Sequence, residues 1–509
     1  MNGNKTIAKN TIIVYSQLFV TIILNLIISR LVLQTLGASD FGLYSVVGGI
    51  VGMFTFISAS MAVTTTRFLN YEMGKPDGNL NKIFNQSNVL HICIAIIILI
   101  LLETIGLYYI YNYLNVPFGK ESDALFVFQV STIVACVGII NVPYQAIFVA
   151  HEKFNFVALI DISNVTIKLF VILALLYSND GNKLRLYAIG MSSTTFFSFI
   201  IYHILSKRCW PEIIKWKFVR NWRLYKDELL YSNWNLLATA SIIGRSQGSA
   251  IIINYFFGTT VNAAYAIADM VQQQVNGFIG RFDIAVSPQI TQNLGAGNIS
   301  RSVYLASNTC RLCILGMEIL FFTLYSELDS ILRLWLGEVP EGALVFTKYT
   351  LLIALVSSTS GGLVQFINGS GKIKWFKIQS SLWNLCPLVL GFILYRNGMR
   401  SYGIVILFVI ADVFNRAFQL LLLKRLMNFD IIKYIKESYF RPFVVLVLMM
   451  MIINAYSNYV YGCINYMIGL FSMLVVSSIV VYYIGLQSNE RKKISRIAVS
   501  GVNKICKRI

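Results

Sequence analysis

Apolar runs of roughly 20 residues recur from one end of this chain to the other, each long enough to cross about 30 Å of hydrocarbon as an α-helix. Membrane-spanning β-strands are near 10 residues and alternate in polarity, and these runs do neither. The pattern predicts an all-α polytopic membrane protein. Spans fall near 11–34, 42–63, 87–110, 125–149, 154–178, 184–205, 231–257, 262–284, 303–325, 346–368, 375–395, 402–423, 443–460 and 463–486, fourteen in all. Of 509 residues, 56% are hydrophobic and 13% charged, with a mean hydropathy of +0.66, far from the balance of a water-soluble domain. The first run, near Thr11 to Leu33, lacks a small-residue cleavage site after a short core, so it reads as a retained span rather than a removed signal peptide.

Lys and Arg orient the spans, because short cytoplasmic loops carry an excess of them. One side collects Lys5, Lys9, Arg67, Lys75, Lys82, Lys153, the dense group from Lys207 to Lys226, Arg301, Arg311, Lys372, Lys374, Lys377, the run from Lys424 to Arg441, and a basic tail. The other side has Lys120, Lys183, Arg185, Arg333, Lys348, Arg396 and Arg400. Both termini are therefore expected in the cytoplasm. A formal charge of +19 invites a nucleic-acid reading, but the basic residues sit at the ends of apolar runs, so the placement is topological and no nucleic-acid partner is expected. Ser206 to Leu230 is basic with Trp210, Trp216 and Trp222 interleaved, which suits an amphipathic linker on anionic lipid.

Catalytic patterns are missing. No connection is long enough for a folded catalytic domain; the largest external one lies near Ser326 to Val345. Gly369-Ser370-Gly371-Lys372 has Phe366 where a phosphate loop needs its first glycine and Ile373 in place of Ser or Thr, so it reads as a turn. Asp40-Phe41-Gly42 lacks every other kinase element. His91, His151 and His203 stand in unrelated places. Eight cysteines are scattered, with Cys93, Cys136 and Cys463 inside apolar runs, and the pair Cys310 and Cys313 opens a hydrophobic helix with no zinc partners nearby. No metal, cofactor or enzymatic activity is expected. Driving energy is left to an ion gradient, the membrane potential or the substrate gradient.

An internal repeat organises the spans. Leu36-Gly37-Ala38-Ser39-Asp40-Phe41-Gly42-Leu43-Tyr44 aligns with Phe257-Gly258-Thr259-Thr260-Val261-Asn262-Ala263-Ala264-Tyr265 at one offset, which continues within a residue to Phe56-Ile57 and Phe278-Ile279. Six spans separate the copies, so both halves start on the same side and a pseudo-twofold axis is expected along the membrane normal. The expected organisation is a six-helix lobe over 1–205, the basic linker over 206–230, a second six-helix lobe over 231–423, helices 13 and 14 over 424–486, and a basic tail over 487–509.

Polar groups inside apolar spans are costly and mark function by default. Span 8 carries Asp269, Gln272, Gln273, Asn276, Gly280 and Asp283, which at about 3.6 residues per turn form one stripe. That stripe is expected to face other helices or water. Span 2 offers Gly48, Gly52, Thr55, Ala59, Ala62 and Thr66, which fits close packing as well as it fits a cavity wall. Ionisable residues within spans are Arg30, Lys168, Arg245, Arg281, Asp283, Glu318, Asp412 and Arg416, of which Asp412 and Arg416 are four apart and expected to pair. Arg245 stands near the centre of span 7 amid Ser241, Gly244, Ser246, Gln247, Gly248 and Ser249. Its fork of donors suits a substrate phosphate or an interhelical ion pair, and the sequence leaves both open.

These residues resemble the bacterial polysaccharide and O-antigen flippases of the multidrug/oligosaccharidyl-lipid/polysaccharide exporter superfamily. The likeness rests on Lys9-Asn10-Thr11, on Leu36-Gly37 followed by Phe41-Gly42-Leu43-Tyr44, on the echo in the second half, and on six plus six plus two spans. It implies two lobes around a cationic cavity with alternating access, carrying an undecaprenyl-pyrophosphate-linked oligosaccharide from the cytoplasmic to the periplasmic leaflet of the bacterial inner membrane. By that resemblance Arg245, Lys168 and Arg281 hold the pyrophosphate, and Asp269, Gln272, Gln273 and Asn276 receive sugar. Span 1 departs from the pattern, offering only Asn25 centrally, with Arg30 near its outer end. The implied partners are the lipid-linked glycan, membrane lipids, a glycan polymerase, glycosyltransferases and a coupling ion. An ion-coupled drug or cation antiporter of the same superfamily is the main alternative, and a membrane enzyme of glycan assembly a more distant one.

Overall fold

The computed structural model describes residues 2–52, 55–112, 119–178, 182–220, 222–336, 339–427, 429–459 and 465–492, all of them helix or short connection. Cys463 and most of the basic tail lie outside these, as does the side chain of Arg30. In chain order the helices are α1 (Asn2–Gly52), α2 (Thr55–Met73), α3 (Leu80–Leu101), α4 (Leu107–Asn112), α5 (Glu121–Ala150), α6 (Phe154–Tyr177), α7 (Lys183–Cys209), α8 (Pro211–Ile214) and α9 (Trp222–Gly295). They continue as α10 (Ile299–Ser326), α11 (Leu328–Leu336), α12 (Ala343–Ser358), α13 (Leu363–Ser370), α14 (Lys374–Arg396), α15 (Gly403–Met427), α16 (Ile431–Ser438), α17 (Phe440–Tyr459) and α18 (Tyr466–Val480).

Among the described residues ten helices are long and apolar enough to cross a membrane, and α12 with α13, bent by 51° at their junction, makes an eleventh. Two further elements double back. Asn10 donates to Glu152 beyond the end of α5, Asp40 pairs at 3.0 Å with Lys120 at its start, and Asn70 and Ala150 share Gln292 Nε2 back at the end of α5. The chain therefore travels the length of α5 and returns, reversing near Asp40 inside α1. The reversal in α9 is at Gly258, whose φ of 79° and ψ of −176° suit glycine alone, and Ser246 meets Asp269 symmetrically about it. The two arms of α1 continued by α2, and the second arm of α9, bring the crossings to about fourteen.

Large apolar side chains such as Phe19, Ile97, Leu159, Phe170 and Leu421 stand exposed along the spans, where hydrocarbon can cover them. Helix α10 is the exception: 72% of its apolar window is buried by protein, against 17–44% in the other nine. The residues cluster into two compact units. Unit 1 comprises 1–240 with 284–302 and 368–374; unit 2 comprises 241–283, 303–367 and 375–509. Unit 1 is cored by Val47, Ile98 and Phe128, and separately by Phe84, Ile147 and Phe148. Unit 2 is cored by Met317, Phe321, Phe322 and Met449, and separately by Phe346, Ile404 and Phe408.

The basic end of unit 1 is drawn tight by glycines. A Cβ on Gly74 would stand 1.9 Å from the Gln292 carbonyl oxygen, and one on Gly295 2.0 Å from that of Tyr71, so α2 and the end of α9 touch backbone to backbone. Arg67 lies over the rings of Phe68, Tyr71 and Tyr231 and donates to the Gly369 carbonyl at 3.3 Å. The turn after α13 closes on it with Gly371 at φ 77°. The linker is less free than its composition suggests. Trp216 and Trp222 are exposed, but Trp210 packs on Phe148 and His151, and Asn81 donates to the carbonyls of Glu212, Ile213 and Lys215.

Candidate functional site

The polar stripe of span 8 runs down the second arm of α9 and splits in two. Asp269 accepts from Ser246 Oγ at 3.0 Å and Gln273 Nε2 at 2.8 Å, Asn276 accepts from Ser357 Oγ at 3.1 Å, and Asp283 accepts from the Gly362 amide at 2.8 Å. These three tie the arm to its neighbours in unit 2. Asp283 does so at the break between α12 and α13, where Gly362 turns with φ 70° and its amide has no carbonyl within the helix to bond. The remaining positions face open space. A Cβ on Gly277 or Gly280 would meet nothing within 4 Å, Gln273 is exposed, and Gln272 and Arg281 are half-buried. Neither Gln272 nor Arg281 has a hydrogen bond or ion pair among the described residues.

Arg245 is held differently. Its Nη1 and Nη2 donate to the two carboxylate oxygens of Asp412 at 2.9 and 3.1 Å, Nη1 reaches Asn384 Oδ1 at 3.4 Å, and the guanidinium lies 4.2 Å from the Phe408 ring centre. The pair is largely buried, 16% exposed at Arg245 and 6% at Asp412. Of the two readings left open for Arg245, the interhelical ion pair is the one this geometry forms. The expected pairing of Asp412 with Arg416 is not made: a two-pronged guanidinium takes both carboxylate oxygens, and Arg416 Nη1 donates to Gln419 instead, at 2.6 Å. Glu318 of α10 is 1% exposed, with Oε2 unpartnered among the described residues.

In unit 1, Lys168 of α6 is half-buried without hydrogen bond or ion pair among the described residues, and Asp161, two turns earlier, is engaged by Gln17 at 2.5 Å. Asn25 of α1 is exposed and likewise unbonded there. A cavity of about 400 Å³ is walled by Ser58, Ala59 and Ala62 of α2, Gly138 and Gln145 of α5, and Thr195 of α7. Added Cβ atoms on Gly48 and Gly138 would meet nothing within 4 Å. The small residues described in span 2 thus border open volume rather than a close helix contact. Gln145 and Thr195 were beyond sequence reasoning, because one amide and one hydroxyl in separate apolar helices carry no signal until the helices are brought together.

A protein family described as Polysaccharide biosynthesis protein matches residues 7–294, more than half of the chain. The chain belongs to the polysaccharide biosynthesis protein family. Its fold is also that of MATE transporters. This family member superposes on the outward-facing conformation of a multidrug resistance MATE family transporter of the MOP superfamily with a TM-score of 0.73, at 13% identity over 84% of this chain and 97% of that one. A MOP superfamily transporter from Pyrococcus furiosus, reported to have a binding pocket of reverse polarity, follows at 0.68, 13% identity, 83% and 96%. MATE in a bent conformation gives 0.66 at 16% identity, 84% and 97%. At such identities the likeness is one of fold. No curated protein matches the chain.

Proposed function

We propose that this polysaccharide biosynthesis protein is a flippase that moves an undecaprenyl-pyrophosphate-linked oligosaccharide from the cytoplasmic to the periplasmic leaflet of a bacterial inner membrane by alternating access. It makes and breaks no covalent bond. The observation that carries the reading is the open half of the α9 stripe, where Gln272, Gly277, Gly280 and Arg281, unpaired among the described residues, share one arm with the exposed Gln273 beside them. Amides suit sugar hydroxyls, and a guanidinium without a carboxylate suits a phosphate. Turned toward lipid, the same groups would cost several kcal/mol, on the order of 2–3 per charged residue, so a wet path is their natural setting. Lys168 supplies a second cation in unit 1, with Asp161 two turns away but no hydrogen bond or ion pair of its own among the described residues.

This makes Arg281 in unit 2 the leading phosphate contact and Lys168 in unit 1 a separate candidate, and gives Arg245 a structural role. The acids are meanwhile engaged: Asp269 accepts two hydrogen bonds and Asp412 is paired, which disfavours a cationic drug as cargo. The excess of Lys and Arg at one end of the spans supports a cytoplasmic location for that end and for both termini. In proteoliposomes, a fluorescent lipid-pyrophosphate oligosaccharide is expected to become accessible to an impermeant quencher, and Arg281→Ala and Lys168→Ala are each expected to slow this about tenfold or more, the equivalent of one lost charge-assisted hydrogen bond. Flipping at the parent rate in both variants, with the fold intact, would overturn the assignment.

A further inference from the structure

Glu228, near the start of α9, is 0% exposed, and its setting in unit 1 is built from neutral groups. Ser87 Oγ donates to Oε1 at 2.5 Å and Gln86 Nε2 donates to Oε2 at 2.8 Å. Thr65 of α2 is set against the carboxylate without completing a hydrogen bond of its own. No Lys or Arg among the described residues makes an ion pair with Glu228. An ionised carboxylate fully removed from water and matched only by two neutral donors leaves most of its solvation cost uncompensated. The cluster lacks one positive charge.

Its surroundings hold a second incomplete group. His91 of α3, also 0% exposed, places Nδ1 2.7 Å from the Ser87 carbonyl, which can only accept, so Nδ1 carries the proton and Nε2 is a bare acceptor. That Nε2 has no partner among the described residues. Ser87 thereby joins both groups, hydroxyl to Glu228 and carbonyl to His91. Among titratable groups, Tyr225 on Glu228's own helix is coupled electrostatically to Glu228 and to Cys93 of α3, and Tyr231 lies buried one turn further along; α2 contributes the hydroxyl of Thr65.

We propose that Glu228 is the binding site of one monovalent cation, H⁺ or Na⁺, and that its occupancy holds the beginning of α9 against α3. The mechanical link is in the same helix. Two residues before Ser87, Asn85 donates to the Lys215 carbonyl at 2.9 Å and accepts from the Lys217 amide at 3.2 Å, and one turn earlier still Asn81 donates to the carbonyls of Glu212, Ile213 and Lys215. The first turns of α3 therefore hold both the 212–217 segment and Glu228. Loss of the cation leaves a bare anion in that seam, and the way to rehydrate it is to lift the beginning of α9 away. This inference is independent of which substrate is carried.

The test uses the full chain purified in detergent, with choline chloride as the inert salt. Two arms are run: Na⁺ replaces choline at fixed, mildly alkaline pH, and pH is lowered in choline alone. The unfolding temperature of the parent is expected to rise in one arm, and which arm responds names the cation. Glu228→Gln, whose amide is neutral without any ligand, is expected to lose that response and to unfold near the cation-loaded parent. Ser87→Ala, which keeps the carboxylate and removes one donor, is expected to move the midpoint of the response. A parent indifferent to both Na⁺ and pH, a Glu228→Gln protein that responds like the parent, or an unmoved midpoint in Ser87→Ala would each overturn the proposal.

Discussion

Arg245 and Asp412 face each other from α9 and α15 with both prongs of the guanidinium engaged. Breaking such a buried pair is costly because the surviving charge stays desolvated, typically by about 3–5 kcal/mol. Arg245→Ala is therefore expected to lower stability by about that amount, and Arg245→Ala with Asp412→Asn to recover most of it, as measured by thermal unfolding in detergent. The phosphate reading of Arg245 expects the reverse, export lost with stability unchanged. The sequence shows that Arg245 needs an anionic partner, since its own helix has no carboxylate nearby, but not which anion. Asp412 lies 167 residues away, and on its own helix Arg416 is the nearer candidate. Only the crossing of α9 with α15 decides between them.

At the scale of one element, the hairpin in α9 depends on a backbone shape. Gly258 sits in a region of φ and ψ open to glycine alone, while a Cβ there would meet no atom within 4 Å. The cost of Gly258→Ala is then conformational rather than steric, on the order of 1–3 kcal/mol. Gly277 also has free space around its missing Cβ but lies in regular helix, so Gly277→Ala is expected to stabilise by about 0.5–1 kcal/mol. Opposite signs for two Gly→Ala changes in one helix, read as shifts in unfolding temperature, check the assignment. The aligned Leu36-Gly37 and Phe257-Gly258 pairs mark this device in the sequence. Both elements double back close to these pairs, the first near Asp40 and the second at Gly258, where a glycine after an apolar run frees the backbone as the span ends.

On the scale of the whole molecule, the segments 284–302 and 368–374 come from the second half of the sequence yet pack within unit 1. They meet α2 at the basic end through Gly74 and Gly295, where no side chain fits, and through Arg67. A methyl group on Gly295 would drive 2.0 Å from a backbone oxygen and force this seam apart. In a protein stripped of its other cysteines, Asn70→Cys, at a position 1% exposed, is expected to react slowly with a polar maleimide and several-fold faster once Gly295→Ala is added. Equal rates would show that the seam stays shut without the close glycine contact.

The all-helical class, a count of about fourteen spans, the membrane as solvent and the helices bearing polar groups were all legible in the chain itself. Each follows from local periodicity: an apolar run must hide from water, and a polar stripe must hide from lipid. The partner of each buried polar group was not legible, because partners come from distant helices and sequence spacing carries no information about which faces meet. Arg245 joined to Asp412, Arg281 left unpaired among the described residues, Glu228 enclosed by α3 instead of lying in a linker, and small residues bordering a cavity rather than a neighbouring helix are outcomes of packing alone. They depend on how rigid helices cross, and that is decided by the sum of contacts in each unit rather than by any one stretch of residues.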